Sequence, residues 1–258
     1  MCDYTMPTGK CKLCLQTKEL QCSHLLPSSL YKKSRWENSR NPNPALLSGR
    51  GVVQTSNQIR DYVLCRDCEQ LFSRNGERYT MSQVEHRGTF PLLNTLRAVA
   101  PTKVNAVFSW YDRKAVPGID RDKLGYFASS VFWRASAHKW KDARTNVRLG
   151  ACEERFRQYL LGQEPFPRNA VLMLVACTDA MAQNTFYLPS LGLKNEITMY
   201  TMQTRGLNFM MMIGESMTNA MRSLCCVTGA DGWIVARSCR DKIVEAAQRI
   251  AAGRTASL

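Results

Sequence analysis

The chain has 258 residues, of which 45% are hydrophobic and 22% are charged. This composition is typical of soluble globular proteins and excludes an intrinsically disordered chain. The length allows one large domain or two small ones.

The formal net charge is +14, with +6 on residues 1–100, +6 on 101–168 and +2 on 169–258. Basic side chains gain affinity for DNA or RNA by releasing condensed counterions, so a nucleic acid is the expected partner. A generally basic surface without a ligand is the alternative, because charge does not identify a partner.

The longest apolar runs, at residues 171–177 and 209–213, are far shorter than the roughly 20 residues that a membrane-crossing helix needs. Residues 1–5 lack the basic start and the apolar stretch of a secretion signal. We therefore expect a cytoplasmic protein with no membrane segment.

Residues 1–88 contain two Cys-x2-Cys pairs, Cys11 with Cys14 and Cys65 with Cys68. Between the pairs, residues 38–51 are rich in Pro, Gly and Asn, and this composition predicts a long loop.

Residues 90–162 show helical periodicity. Asp120 can cap a helix in which apolar residues recur every three or four positions from Leu124 to Ala135. A second helix is predicted from Leu149 to Leu160, ended by Gly162.

After residue 168 the pattern predicts strands at 171–177, 186–188, 197–202, 207–213 and 233–236. The spacing of Ile243, Ala246, Ala247 and Ile250 predicts a closing helix. The expected fold is α+β, with a zinc-binding module at 1–88 and a helical, then strand-rich, domain at 89–258.

Two Cys-x2-Cys pairs are typical of a structural zinc site with four thiolate ligands. The 50 residues between the pairs add little cost, because loop-closure entropy grows slowly with length. A four-cysteine site has no open coordination position, so this zinc should stabilise the fold without taking part in catalysis.

His24 precedes an apolar pair and Pro27, and Glu69 follows the last cysteine directly. In this arrangement, residues 8–80 resemble the zinc-containing HNH, or ββα-metal, nuclease family, in the style of bacterial or phage members. The resemblance implies that His24 is the general base that activates water. It also implies that Glu69 holds a catalytic divalent cation. Mg²⁺ and Mn²⁺ are the expected ions, because both prefer oxygen ligands such as a carboxylate.

Three positions differ from the family pattern. Ser23 replaces the acid that often precedes the first His, and Glu69 replaces the second ligand His. The family pattern also has an Asn between these two positions, for which this sequence offers only Asn57 and Asp61 as nearby candidates. If the helix after Cys68 continues past Asn75 and Gly76, Glu77 would share a face with Glu69 as a second, weaker cation ligand. The alternative role of His24 is structural, as a hydrogen-bonding residue beside the cysteine turns.

Cations beside an aromatic ring suit phosphate contact and base stacking. The residues of this kind are Lys32, Lys33, Arg35, Trp36, Arg40 and Arg50. A solvated loop is the alternative for them. Arg134 is expected to point outward from its helix, and His86 and His138 are expected to be ordinary surface or helix residues.

The sequence thus predicts an HNH-like endonuclease that hydrolyses nucleic-acid phosphodiesters, DNA rather than RNA, with a divalent cation. The alternative is a non-catalytic zinc-binding module that binds nucleic acid or a protein partner. A thiol redox enzyme is a third hypothesis, which would need reactive cysteines in place of metal-bound ones. The cysteines outside the two pairs are mostly expected to be small buried apolar residues.

Overall fold

The computed structural model describes residues 6–35, 43, 45–48, 51–54, 57–141, 143, 145–180, 182 and 185–238 of the chain. Within them the fold is α+β, as predicted. The strands are β1 (Thr8–Lys10), β2 (Thr17–His24), β3 (Ala45–Ser48), β4 (Gly51–Gln54), β5 (Arg60–Cys65), β6 (Lys103–Val104), β7 (Ser109–Tyr111), β8 (Ala170–Cys177), β9 (Thr185–Lys194), β10 (Thr198–Thr204), β11 (Leu207–Ile213) and β12 (Ile234–Arg237).

The helices are α1 (Ser28–Lys33), α2 (Arg66–Phe72), α3 (Arg78–Val84), α4 (Pro91–Arg97), α5 (Arg121–Ala137), α6 (Cys152–Leu160) and α7 (Asn219–Ser223). A π-helical turn at Ser73–Glu77 joins α2 to α3 without a break. The predicted closing helix at 243–250 lies outside the described residues.

A small antiparallel sheet has the order β1-β2-β5. The first cysteine pair lies in the turn between β1 and β2, and the second lies where β5 meets α2. Leu20 on β2 lies opposite Cys65 on β5, and His24 lies opposite Arg60. Because β2 pairs with β5 and β5 runs directly into α2, the two strands and the helix form a β-β-α unit, with α1, β3 and β4 inserted between its strands. His24 ends its first strand, and Glu69 lies on its helix.

The π-helical turn keeps the helix going past Asn75 and Gly76. A β-carbon on Gly76 would lie 2.7 Å from the backbone nitrogen of Phe127 on α5. Glycine therefore allows the two helix backbones to approach closely at this point. Single π-helical turns inside α-helices occur frequently at functional sites.

Helix α5 is the central helix, and 13 of its 17 residues are buried. Asp120 caps it, as predicted, by accepting a hydrogen bond from the Lys123 amide at 3.0 Å. The expectation that Arg134 points outward is wrong, because its side chain is only 1% exposed. A helix that is buried on nearly all sides has no outward face for that residue.

A nine-stranded sheet, in the order β4-β3-β9-β10-β11-β8-β12-β7-β6, forms the rest of the fold. Its seven strands after residue 88 include each stretch predicted to be extended in the C-terminal part. The pairings β3 with β9 and β12 with β8 are parallel.

Two sequence predictions are wrong in this sheet. Residues 45–54 contain the hairpin of β3 and β4, in a segment expected to be a loop, and β3 extends the large sheet by pairing with β9. Residues 103–111 contain the hairpin of β6 and β7, in a segment expected to be helical. Both hairpins are short, with strands of at most four residues, which is too few for a clear sequence period.

One cluster of buried hydrophobic residues extends from Cys11 near the first cysteine turn to Ala236 on β12. The division of the chain between residues 88 and 89 stays a prediction. None of the helices in the described part of the chain combines the length and the hydropathy of a membrane span.

Candidate metal centre and the adjoining cavity

The ligand atoms of Cys11, Cys14, Cys65 and Cys68 all lie within 4.8 Å of one another. Zinc binds thiolates at about 2.3 Å, so neighbouring sulfurs of a tetrahedral site are roughly 3.8 Å apart. The Sγ atoms of Cys14 and Cys65 are 3.8 Å apart. The donor set and its spacing therefore fit one structural zinc ion held by four cysteines, as predicted from the two sequence pairs.

Backbone hydrogen bonds shape the first cysteine turn. The Leu15 amide donates to the Cys11 carbonyl at 2.9 Å, and Leu15 adopts a positive φ of 61°. The Lys12 amide donates to the Val63 carbonyl at 3.1 Å, so the turn also rests on β5. The Cys65 amide donates to Cys11 Sγ at 3.3 Å, and this bond stabilises a thiolate there.

The pKa values of three of these thiol groups are shifted in different directions. The pKa of Cys11 is lowered to about 4, chiefly by a hydrogen bond from Cys68. The pKa of Cys68 is raised by the same interaction and by burial, and burial raises the pKa of Cys14. A cation bound between the four sulfurs would favour the thiolate form of each, because a coordinated thiol is deprotonated.

The C-terminal part of the chain contacts this centre. Arg157 on α6 donates from Nη1 to the Leu13 carbonyl in the first cysteine turn at 2.7 Å. Glu154 holds the same guanidinium, accepting from its Nη2 at 2.6 Å and from its Nε at 2.8 Å. Helix α6 therefore fixes a turn that lies 144 residues earlier in the sequence.

A partly open cavity of about 380 Å³ adjoins the metal centre. Helix α2, the π-helical turn, α3, α1, the end of β2 and the buried helix α5 contribute to its walls. His24, Glu69 and Glu77 line this cavity together with Arg134. The structure thus brings together the three residues that the sequence singled out for catalysis and cation binding.

Arg134 places a buried positive charge at the cavity wall. Its Nη1 donates to the His24 carbonyl at 2.7 Å, and its Nη2 donates to Glu77 Oε1 at 2.8 Å. The guanidinium carbon lies 5.2 Å from the centre of the Phe72 ring, within cation–π range. Arg134 therefore connects the end of β2 to the π-helical turn.

Glu69 presents a carboxylate oxygen that lacks a hydrogen-bond partner. Its Oε1 is buried, and no partner for it exists among the residues that the structure describes. Burial raises the pKa of Glu69, while the charge of Arg134 and a hydrogen bond with the Ser23 side chain oppose that rise. An oxygen of this kind suits a hard cation, because Mg²⁺ is commonly held by one or two carboxylates together with waters and phosphate oxygens.

His24 is half-buried at the end of β2. Burial lowers its pKa from the ordinary 6.5, and the charges of Arg60 and Arg134 lower it further. A hydrogen bond with the Gln58 side chain and the charge of Glu77 act in the opposite direction. Gln58, which the sequence analysis did not single out, hydrogen-bonds the imidazole; Asn57 and Asp61 stay candidates for the middle Asn position of the family pattern.

The predicted nucleic-acid contacts fall into three groups. Lys32 and Arg35 are exposed, and Lys32 lies on the same side of α1 as Ser28, which lines the cavity. Lys33 forms an ion pair with Glu85, with its Nζ 2.5 Å from Glu85 Oε2, so it is not a free cation. Trp36, Arg40 and Arg50 lie outside the described residues.

His138 and Asp61 form a pair that sequence reasoning missed. The Nε2 atom of His138 lies 3.2 Å from Asp61 Oδ2 across 77 residues of sequence. His138 is the first residue after α5, four positions beyond Arg134, and Asp61 lies on β5 opposite Ser23. No sequence signal connects the two positions, because the contact depends on how α5 packs on the small sheet.

Most cysteines outside the metal centre behave as expected. Cys152, Cys225 and Cys226 are buried free thiols. Cys22 and Cys177 each form a disulfide bond. Disulfides were not expected, because the cytoplasm predicted from the sequence is reducing.

Comparison of the chain with protein-family models, with curated proteins and with solved structures finds no match.

Proposed function

We propose that this protein is a divalent-cation-dependent endonuclease of the HNH-like kind, acting on DNA at the cavity beside the zinc centre. The observation that carries the proposal is the shared cavity. His24 and Glu69 come from different elements of the β-β-α unit, 45 residues apart in sequence, and both line it.

The residues around this cavity can each be given a chemical task. His24, with a lowered pKa, is neutral near pH 7 and can accept a proton from water. Arg134 fixes the backbone at His24 through its carbonyl and neutralises Glu77. Arg78, an exposed cation that also lines the cavity, can contact a phosphate oxygen.

Glu69 is the residue that would hold Mg²⁺ or Mn²⁺, because its Oε1 is buried and has no partner among the described residues. When bound, such an ion stabilises negative charge on the phosphate and on the leaving oxygen. Glu77 is a poorer ligand, because its carboxylate is already paired with Arg134. The remaining coordination positions would be filled by water and by the substrate phosphate.

The cleavage assay compares four proteins on supercoiled plasmid DNA in Mg²⁺ or Mn²⁺: the wild type, His24→Ala, Glu69→Gln and the control His86→Ala. His86 is an exposed histidine away from the cavity. General-base catalysis contributes about 100- to 10,000-fold. We therefore expect His24→Ala to lose at least about 100-fold in rate, while His86→Ala keeps the wild-type rate.

A binding measurement accompanies the assay. Glu69→Gln keeps the size of the side chain and removes the charge, so Mn²⁺ titration followed by electron paramagnetic resonance should show weaker binding than in the wild type. Wild-type cleavage by His24→Ala would remove the histidine from the mechanism. Equal Mn²⁺ affinity in Glu69→Gln would remove the proposed ligand.

A second candidate is a zinc-binding module without catalytic activity, which binds nucleic acid or a protein partner. One observation favours it. Among the described residues, the four cysteines are the sole group of three or more His, Cys, Asp or Glu side chains close enough to hold a metal. If neither Mg²⁺ nor Mn²⁺ supports cleavage while salt-sensitive DNA binding persists, this candidate is the better one.

A further inference from the structure

Three aromatic rings lie together on one face of the large sheet near its β6 edge. Trp110 on β7 lies opposite Lys103 on β6 and opposite Val235 on β12. Directly opposite residues of antiparallel strands point to the same face, and so do residues two apart along a strand. Phe108 and Trp233 therefore join Trp110 on this face.

The rings contact one another in a row, with a cation at each end. The ring centres of Trp233 and Trp110 are 6.0 Å apart, and those of Trp110 and Phe108 are 5.9 Å apart. Lys103 Nζ lies 4.9 Å from the centre of the Trp233 ring, and the guanidinium carbon of Arg237 lies 5.3 Å from that of Phe108. We call these five residues the aromatic row.

The aromatic row borders on solvent. Phe108 and Trp110 are half-buried, and Lys103 is exposed. Val107, the residue before Phe108, is also unusually exposed, at 56%. With the half-buried rings it forms an exposed apolar area beside charged residues, which is typical of an interaction surface.

A second cavity opens next to the row. It has a volume of about 240 Å³, and its walls include Arg97, Asn105, Phe108 and Arg237. Arg97 is exposed at the end of α4 and donates from Nη2 to the Thr178 carbonyl at 3.2 Å. Among the described residues, Asp179 lies beside this end, where its carboxylate accepts the Ser238 hydroxyl at 3.1 Å. Two arginines, Arg97 and Arg237, thus line the cavity itself.

We propose that the aromatic row is a binding site for single-stranded nucleic acid. Every nucleobase has an aromatic face that can stack on Phe108 or Trp110, and stacking does not depend on sequence. A single-stranded nucleic acid stacked on these rings would carry its phosphates past three cations, Lys103, Arg237 and Arg97. In a duplex the base faces are covered by neighbouring bases, so a duplex lacks this contact.

An acidic protein or peptide is the other partner that a basic, apolar surface could bind. It would use the cations without a need for ring faces. The row places two half-buried rings, Phe108 and Trp110, between the cations Lys103 and Arg237, while Trp233 is buried at 7% and supports Trp110. Open rings between cations favour a chain of bases joined by phosphates. The site uses residues outside the His24 cavity, so the inference does not depend on the proposed endonuclease activity.

The test measures fluorescence anisotropy of a labelled 15-residue oligo-dT and of a duplex of equal length, at several NaCl concentrations and without added Mg²⁺ or Mn²⁺. Chelators are left out so that zinc stays bound. The wild type should bind the single strand more tightly than the duplex. Trp110→Ala should weaken that binding about tenfold, since stacking contributes about 5- to 150-fold per base, with the salt dependence unchanged.

Lys103→Glu tests the phosphate contact at an exposed position where the fold is not at risk. It should weaken single-strand binding and reduce the slope of log affinity against log salt by about 0.7, the value for one phosphate of a single strand. Val104→Ala is the matched control, because Val104 is the next residue on β6 and points to the opposite face. It should bind as the wild type does, and so should His24→Ala.

Wild-type affinity in both Trp110→Ala and Lys103→Glu would overturn the inference. Equal or tighter binding of the duplex would also overturn it, and so would equal binding of poly-glutamate, which has charge but no bases. If Trp110→Ala does not fold, Trp110→Phe replaces it and should keep most of the affinity, while Lys103→Glu still decides the outcome. Loss of cleavage in His24→Ala with unchanged oligo-dT binding separates this site from the proposed active site.

Discussion

Arg134 donates a 2.8 Å hydrogen bond from Nη2 to Glu77 Oε1, joining α5 to the π-helical turn across 57 residues of sequence. The Arg134 side chain is 1% exposed to solvent, and the Glu77 side chain is 17% exposed. A buried charge that loses its partner is strongly destabilising. This ion pair therefore holds the wall of the candidate active site.

Arg134→Met should lower the free energy of unfolding by about 3 to 5 kcal/mol, because Glu77 and the His24 carbonyl both lose their donor. Urea denaturation measures this. Arg78→Ala, a change at an exposed cation of the same cavity, is the control and should stay within about 0.5 kcal/mol of the wild type. A loss as small as that in Arg134→Met would contradict the structural role of the pair.

Zinc removal should unfold the N-terminal part of the chain. Cys14 is the most exposed of the four ligands, and Cys14→Ser should reduce bound zinc well below one ion per chain and lower the melting temperature, because metal binding and folding are coupled. Elemental analysis and calorimetry measure the two effects. Cys152→Ala, which changes a buried free thiol outside the centre, should keep a full complement of zinc.

Gly76→Ala should be costly despite its small size. The added β-carbon would lie 2.7 Å from the Phe127 nitrogen and 2.9 Å from its Cα, and neither backbone atom can move aside easily. We expect a loss of about 2 kcal/mol or more in unfolding free energy. Gly118→Ala has no neighbour within 4 Å and no positive φ, so it should be neutral or slightly stabilising. Equal effects of the two changes would contradict the close helix contact.

The pH dependence of cleavage should report His24. A general base acts when it is neutral, so the rate is fully present above its pKa and is lost as pH falls through it. Because burial and two arginines lower this pKa, the acidic limb of kcat/KM should lie below the ordinary 6.5. An acidic limb above 6.5 would assign the titration to another group.

Two substitutions should move this limb in opposite directions. Gln58→Ala removes a hydrogen bond that raises the pKa of His24, so the limb should shift to lower pH. Arg60→Ala removes a positive charge that lowers the same pKa, so the limb should shift to higher pH. Shifts of the same sign in both variants would contradict the described surroundings of His24.

Much of the fold was predictable where a local pattern dominates. The strand Leu207–Ile213 has its predicted bounds, because a continuous apolar run of this length suits a buried strand. The capped helix after Asp120 was predictable from its side chain and its apolar spacing. The cysteine centre follows from ligand spacing alone.

The rest depends on long-range packing. Arg134 is a polar residue on a helix with a clear apolar face, so it appeared to be a surface cation. Its burial depends on Glu77 and on the His24 carbonyl, which approach from other elements. The contact between His24 and Gln58 likewise depends on the way the chain enters β5, which no local pattern encodes.

The hairpin of β3 and β4 was missed for a different reason. Pro and Gly are common around residues 42–51, and their density indicates irregular backbone. Val52 and Val53 favour a strand, but four residues are too few to outweigh these signals. Pairing of Leu46 with Phe186 on β9 gives this hairpin a place in the large sheet.

The distance in sequence between Cys14 and Cys65 has a consequence for biosynthesis. These two thiols are 51 residues apart, and a ribosome adds about 5 to 20 residues per second. The first cysteine pair of a nascent chain therefore waits about 3 to 10 seconds before the second pair is synthesised. Arg157, which secures the Leu13 turn, is translated later still, so the metal centre reaches its final form only when more than half of the polypeptide has been made.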